Sequence, residues 1–184
     1  MKTKTIRPSG RNAKPATAKR LADVTLSPVQ EASLRIQSIL VPIDFSDASK
    51  KALRYAVAFA GQFGSRITLL YVVEPVATPD FAYYPLAMEY GQVMAAGRKE
   101  LDKVCTKGGV KPQLLQDKLV RNGVAHRVIK ETAKELKADL IVISTHGNTG
   151  LKHLMLGSTT ERVVRHAPCP VLVVRENENE FVTM

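Results

Sequence analysis

The chain has 184 residues, 45% hydrophobic and 24% charged, which is enough apolar material for one buried core and excludes a disordered chain. No apolar run approaches bilayer length; residues 67–73 are already interrupted by Thr68, so no membrane span is expected. The formal charge of +10 suits a nucleic-acid partner at first sight, yet seven of the 27 basic residues fall within the first twenty positions, where no acid occurs. Beyond them 20 basic residues face 17 acidic ones, a net of +3 that argues against nucleic acid as the partner of the folded part. Two cysteines, Cys105 and Cys169, are too few for a disulfide framework. They predict a reducing cytoplasm and two small buried hydrophobes.

Residues 1–33, rich in Lys, Arg, Ser, Thr, Ala and Pro and without periodicity, predict a disordered basic arm. Its acid-poor start shares features with an organelle transit peptide but lacks a clean amphipathic stripe, and no apolar segment makes it a secretory signal. From Ile36 the pattern changes. Residues 36–43 (IQSILVPI) predict a first strand, and Ser46 or Asp47 caps a helix. Its apolar stripe runs through Ala52, Leu53, Ala56, Val57, Ala60 and Phe63, and Gly64 stops it. A second strand (66–73, RITLLYVV) leads into a connection with Pro75, Pro79 and Pro85, which also holds Tyr83, Tyr84 and Tyr90. A helix is expected over 88–107 and a less hydrophobic, edge-like strand over 113–120.

Ala125, Val128, Ile129, Thr132, Ala133 and Leu136 line one face of the next helix. The fourth strand is 139–145 (DLIVIST), a short helix follows over 159–166, and the last strand is 171–174. The folded domain is thus expected over 34–176, with a short tail over 177–184. Continuous apolar strands alternating with helices predict the α/β class, one open parallel sheet covered on both faces.

Such sheets bind ligands beyond the carboxyl ends of their strands. There this chain sets Pro42-Ile43-Asp44 after the first strand and Tyr71-Val72-Val73-Glu74 after the second. After the fourth come Ser144-Thr145-His146-Gly147 and then Gly157-Ser158-Thr159 opening a helix. Glycines allow close backbone approach, free N–H groups at a helix start attract phosphate, and the hydroxyls add donors. Glycine spacing alone also fits two ordinary loops, and Asp44 alone fits a carboxylate stabilising the helix that follows. No G-x-G-x-x-G and no G-x-x-x-x-G-K-[ST] occurs, so a phosphate here would lean on backbone dipoles and a divalent cation, an arrangement for holding a nucleotide rather than splitting it. His126, His146, His153 and His166 show no metal spacing, and no nucleophile–base set can be assembled.

VPIDFSDASKKALRYAVAFA (41–60) resembles the opening of the universal stress protein family, and DLIVISTHGNTGLKHLMLGSTTERVVRHAPCPVLVV (139–174) is similar to its closing signature. The resemblance spans about 140 residues. It implies a Rossmann-like fold with five parallel strands in the order 3-2-1-4-5, helices on both faces, and an ATP-binding subclass marked by G-x2-G-x9-G-[ST]. Gly147 and Gly157-Ser158 match that motif; Ser144 stands in place of its first glycine, where a side chain either crowds a ribose or hydrogen-bonds to it. By the same resemblance Pro42 and Ile43 line the base, the Val72 backbone meets the adenine edge, and Asp44 faces the ribose and, through water or Mg, the phosphates. Gly147, Gly157, Ser158 and Thr159 hold the phosphates, with His146 nearby. The implied ligand is ATP or AMP, with Mg in the family's manner.

In the implied order Val171, Leu172, Val173 and Val174 form an edge strand, which invites antiparallel pairing and a homodimer, the arrangement common in the family. The function expected is a nucleotide-binding stress-response or signalling regulator, not an enzyme beyond slow ATP hydrolysis. Two alternatives stand beside it. One is a member of the family that binds no nucleotide and acts through protein contacts. The other is an adenylate-transferring enzyme, whose S-G-G-x-D-S, HIGH or KMSKS signatures are absent.

Overall fold

A computed structural model of the chain describes residues 33–75, 83–145, 156–175 and 182, with the side chains of 83–90 excepted. The arm expected over 1–33 and the tail expected over 177–184 fall outside these residues, apart from Ser33 and Val182. The unit that contains the elements begins at Arg35.

Strand β1 (Ser38–Pro42) lies at the centre of the sheet, where both faces are covered. Ile39, Leu40 and Val41 are fully buried, which is why the sequence reads as an unbroken apolar run. Helix α1 (Asp47–Phe63) starts at the N-cap Ser46, whose hydroxyl accepts from the Ser49 N–H at 3.1 Å. It ends at Gly64, held at φ 68, where a side chain would be strained. β2 (Arg66–Val73), α2 (Tyr83–Lys107), β3 (Leu115–Asn122), α3 (Ala125–Glu135), β4 (Leu140–Ser144), α4 (Ser158–His166) and β5 (Val171–Val174) follow.

All pairings are parallel, in the order β3-β2-β1-β4-β5. This is the order the family resemblance implies. Strand alternation sorts the core into two layers. Ile39, Val41, Leu69 and Val142 pack under α1 and α2, against Leu53, Ala56 and Leu101. Leu40, Leu70 and Ile141 pack under α3 and α4, against Ile129, Ala133 and Val163. Helices therefore cover both faces. β1 meets β4 through Ile39↔Leu140, and the Asp139 carboxylate accepts from the N–H groups of Gln37 (2.8 Å) and Ser38 (3.0 Å) at the start of that seam.

Of the boundaries that depart from the sequence reading, two have a clear local reason. α2 begins at Tyr83, not near residue 88, so Tyr83, Tyr84 and Tyr90 belong to a helix and not to the connection. Pro85 misleads here, because a proline in the first turn lacks only an N–H that has no intrahelical acceptor anyway. β3 begins at Leu115, not at 113. The Leu114 N–H donates to the Lys111 carbonyl at 2.9 Å, closing a turn over Pro112 and Gln113 before the strand starts. No helix among the described residues is long and apolar enough to cross a membrane.

Candidate functional site

β1, β2 and β4 end at the same edge of the sheet, and α1, α3 and α4 start there. Between them lies a cavity of about 470 Å³, the size of a small-ligand site. It sits where the strand order reverses, since the chain leaves β1 toward β2 on one side and returns to place β4 on the other.

The end of β1 supplies Pro42, Ile43 and Asp44 to the cavity wall. Asp44 Oδ1 accepts from the Ser46 N–H (3.1 Å) and from the Ser46 hydroxyl (2.6 Å), and Ser46 in turn caps α1. The carboxylate is thus fixed as a helix-start group and lines the cavity at once. Phe45, between the two, is held at φ 69, a left-handed backbone that bulky residues rarely adopt. Its ring packs on that of Tyr71 with centroids 4.6 Å apart. Phe45 and Tyr71 form one wall; Val72 and Ile129 belong to the opposite face of the sheet.

α4 supplies the polar end. Its N-cap is Gly157, which has no side chain to cap the first turn, and the first intrahelical bond runs from the Glu161 N–H to the Gly157 carbonyl at 2.9 Å. Helix geometry leaves the earlier N–H groups without intrahelical acceptors. Two bonds pin this helix start to β4. The Gly157 N–H donates to the Thr145 carbonyl (2.9 Å), and the buried Thr160 hydroxyl donates to the Ser144 carbonyl (2.8 Å). Ser144 lines the cavity but is only 6% exposed, and strand alternation sets its side chain on the face shared by Leu140 and Val142.

The charged residues among the described lining are Asp44 and Glu74, both acidic. Glu74 Oε1 accepts from the Ala125 N–H at 2.8 Å, at the start of α3. Among the described residues, no group of three or more His, Cys, Asp or Glu side chains can hold a metal ion. His126 lies in the first turn of α3, where partial burial, then Arg162 and Arg127, holds its imidazole below the usual range; His166 ends α4. His153 lies outside the described residues. Burial pushes both thiols, Cys105 and Cys169, above the ordinary range, and both are free.

Of the site residues expected from sequence, Pro42, Ile43, Asp44, Val72, Ser144, Gly157, Ser158 and Thr159 line this one cavity. His146 and Gly147 lie outside the described residues. The sequence reading missed Phe45, Tyr71, Glu74, Ala125 and Thr160 as lining residues. Tyr71 and Glu74 belong to the segment that the sequence sets at the end of the second strand, from which only Val72 was given a role; the conformation of Phe45 carries no sequence signal.

The parallel order with a cavity at its reversal point defines an open, doubly wound α/β protein of the Rossmann-like class. The model of the universal stress protein family matches residues 35–175, and the chain belongs to that family. A universal stress protein of Methanocaldococcus jannaschii is 36% identical over 153 residues, covering 78% of this chain and 85% of the relative. The solved structure of the universal stress protein UspA from Lactobacillus plantarum matches with a TM-score of 0.69 and 33% identity, over 78% of this chain and all of that one. A further solved structure, a universal stress protein in complex with cAMP, shares the fold (TM-score 0.53, 22% identity, covering 77% of this chain and 98% of that one).

Proposed function

We propose that this protein binds an adenine nucleotide, ATP or AMP, in the cavity at the ends of β1, β2 and β4. Its output is a change in dimer or partner contacts, not catalysis. The observation that carries this reading is the polarity of one cavity. Apolar surface from Pro42, Ile43 and Val72 suits a base, and the start of α4 offers phosphate N–H groups that no side chain caps. The cAMP complex of a protein with the same fold is consistent with it. With no Lys or Arg among the described lining, a triphosphate needs a counter-cation, and Mg bound by the phosphates beside Asp44 supplies one. The homodimer forms through β5, and two cysteines kept as thiols suit the cytoplasm.

That same acidic lining favours a second reading, a family member acting by protein contacts alone. One measurement separates them. Purified protein is titrated calorimetrically with ATP, AMP and GTP, with and without Mg, and any nucleotide released on denaturation is identified by chromatography. Adenine-selective binding is expected, with thermal protection equivalent to about 2.7 kcal/mol at a hundredfold excess over Kd. No heat and no protection at millimolar ATP and AMP would establish the second reading.

A further inference from the structure

Two helices open onto the cavity with different N-termini. At α4 the N-cap Gly157 has no side chain, and none caps the first turn. At α3 the N-cap Val124 also offers no side-chain hydrogen bond, but Glu74 reaches across from beyond the end of β2 and its Oε1 takes the Ala125 N–H at 2.8 Å. Ala125 and Glu74 both line the cavity. The carboxylate cancels the partial positive charge of that helix end and occupies a donor that a ligand anion would otherwise use. No Lys or Arg in the described lining restores it. Neither Arg127 nor Arg162 lines the cavity, and His126, in the first turn of α3, does not line it either.

We propose that Glu74 is a specificity residue: it gives the cavity one anion-accepting end, at α4, and disfavours any ligand that carries a second anionic group at the α3 end. The inference rests on the adenine-nucleotide reading and adds a rule to it. Nucleotides whose anionic groups all reach the start of α4 fit, and those with a further phosphate directed toward α3 are disfavoured. The discrimination is electrostatic at an exposed carboxylate, so it is sensitive to salt.

The test compares AMP with adenosine 2′,5′- and 3′,5′-bisphosphate by calorimetry on the full chain and on Glu74→Gln. The amide oxygen of glutamine still accepts from the Ala125 N–H, so the cap on α3 survives while the charge is lost. In the parent protein AMP should bind more tightly than either bisphosphate by about tenfold, and raising the salt from about 0.1 M to about 1 M should narrow the gap. In Glu74→Gln the ratio should fall toward one. A parent protein that binds the bisphosphates as tightly as AMP, or a ratio left unchanged by the substitution, overturns the inference and leaves nucleotide binding standing. A parent protein that binds none of the three overturns the nucleotide reading and this inference with it. If Glu74→Gln does not fold, the same ratio and its salt dependence are read on Glu74→Ala, and a ratio equal to that of the parent overturns the inference.

Discussion

A phenylalanine held at φ 69 gives up the broad extended and right-handed wells, at a cost on the order of 1–2 kcal/mol. Phe45 keeps that conformation because its ring packs on Tyr71 while the chain must turn from β1 into α1 within a few residues. The turn fixes Asp44 at the cavity wall, bonded to Ser46. Gly157 makes a contrasting case. Its φ of −58 and ψ of 146 are open to any residue, so a glycine is not required there by the backbone. Gly157→Val should therefore leave the unfolding midpoint of the ligand-free protein within about 2 °C, yet abolish ATP binding in calorimetry by filling the approach to the start of α4. Undiminished binding would mean that phosphate does not sit at α4. Asp44, Gly157 and Ser158 were legible in sequence because their chemistry is local. Phe45 was not, because its backbone is set by a ring contact with a residue 26 positions away.

At the scale of elements, α1 shows what sequence conveys well: Ser46 starts it, Gly64 ends it, and Ala52, Leu53, Ala56 and Ala60 of its stripe are buried, with Val57 and Phe63 half-buried. α2 shows where it fails, since Pro85 reads as a breaker although the first turn tolerates it. The approach of α2 to the sheet was equally invisible. A Cβ at Gly97 would lie 2.7 Å from Tyr71 Cδ1 and 2.9 Å from Cε1, and Phe45 backs the tyrosine ring. Gly97→Ala gains about 1 kcal/mol in helix propensity. Overpacking a hemmed ring costs about 1–3 kcal/mol, so net destabilisation is expected in urea titration. A more stable variant would show that Tyr71 yields freely. β3 and α3 are joined by a two-pronged pair, Arg121 Nη1 and Nη2 to Glu135 Oε2 and Oε1 at 2.7 and 2.9 Å. Those bonds, then the charge, hold the Glu135 carboxyl below the ordinary glutamate range. A lowered folded value means that the stabilisation is full above that range and is lost as pH falls through the folded value. The gap in urea midpoint between parent and Glu135→Gln should be present at pH 7 and close below about pH 4. A gap that persists in acid would assign the effect to packing.

For the molecule as a whole, sequence alternation was sufficient for class and covered faces, because continuous apolar strands require both. Strand order came from family resemblance, since nothing in the apolar pattern says that β4 returns beside β1. Assembly is the further step. Pro170 and Val174 turn their carbonyls toward β4, accepting from Ile141 (3.0 Å) and Thr145 (3.0 Å), so by alternation the N–H groups of Val171 and Val173 face away from it. Val173→Pro should then spare the β4–β5 ladder and block only the outer edge. Light scattering at micromolar concentration should give a dimeric parent and a monomeric variant; a monomeric parent would end the dimer proposal. The seam between β1 and β4 has a consequence for how the chain is made. Ile39 finds its partner at Leu140, about a hundred residues later in synthesis. At ribosomal rates of about 5–20 residues per second, that edge of β1 waits roughly 5–20 s for its neighbour. Through that interval Ile39, Leu40 and Val41, all fully buried in the finished fold, sit on an unpaired edge, and the nascent chain depends on holdases more than its finished stability would suggest.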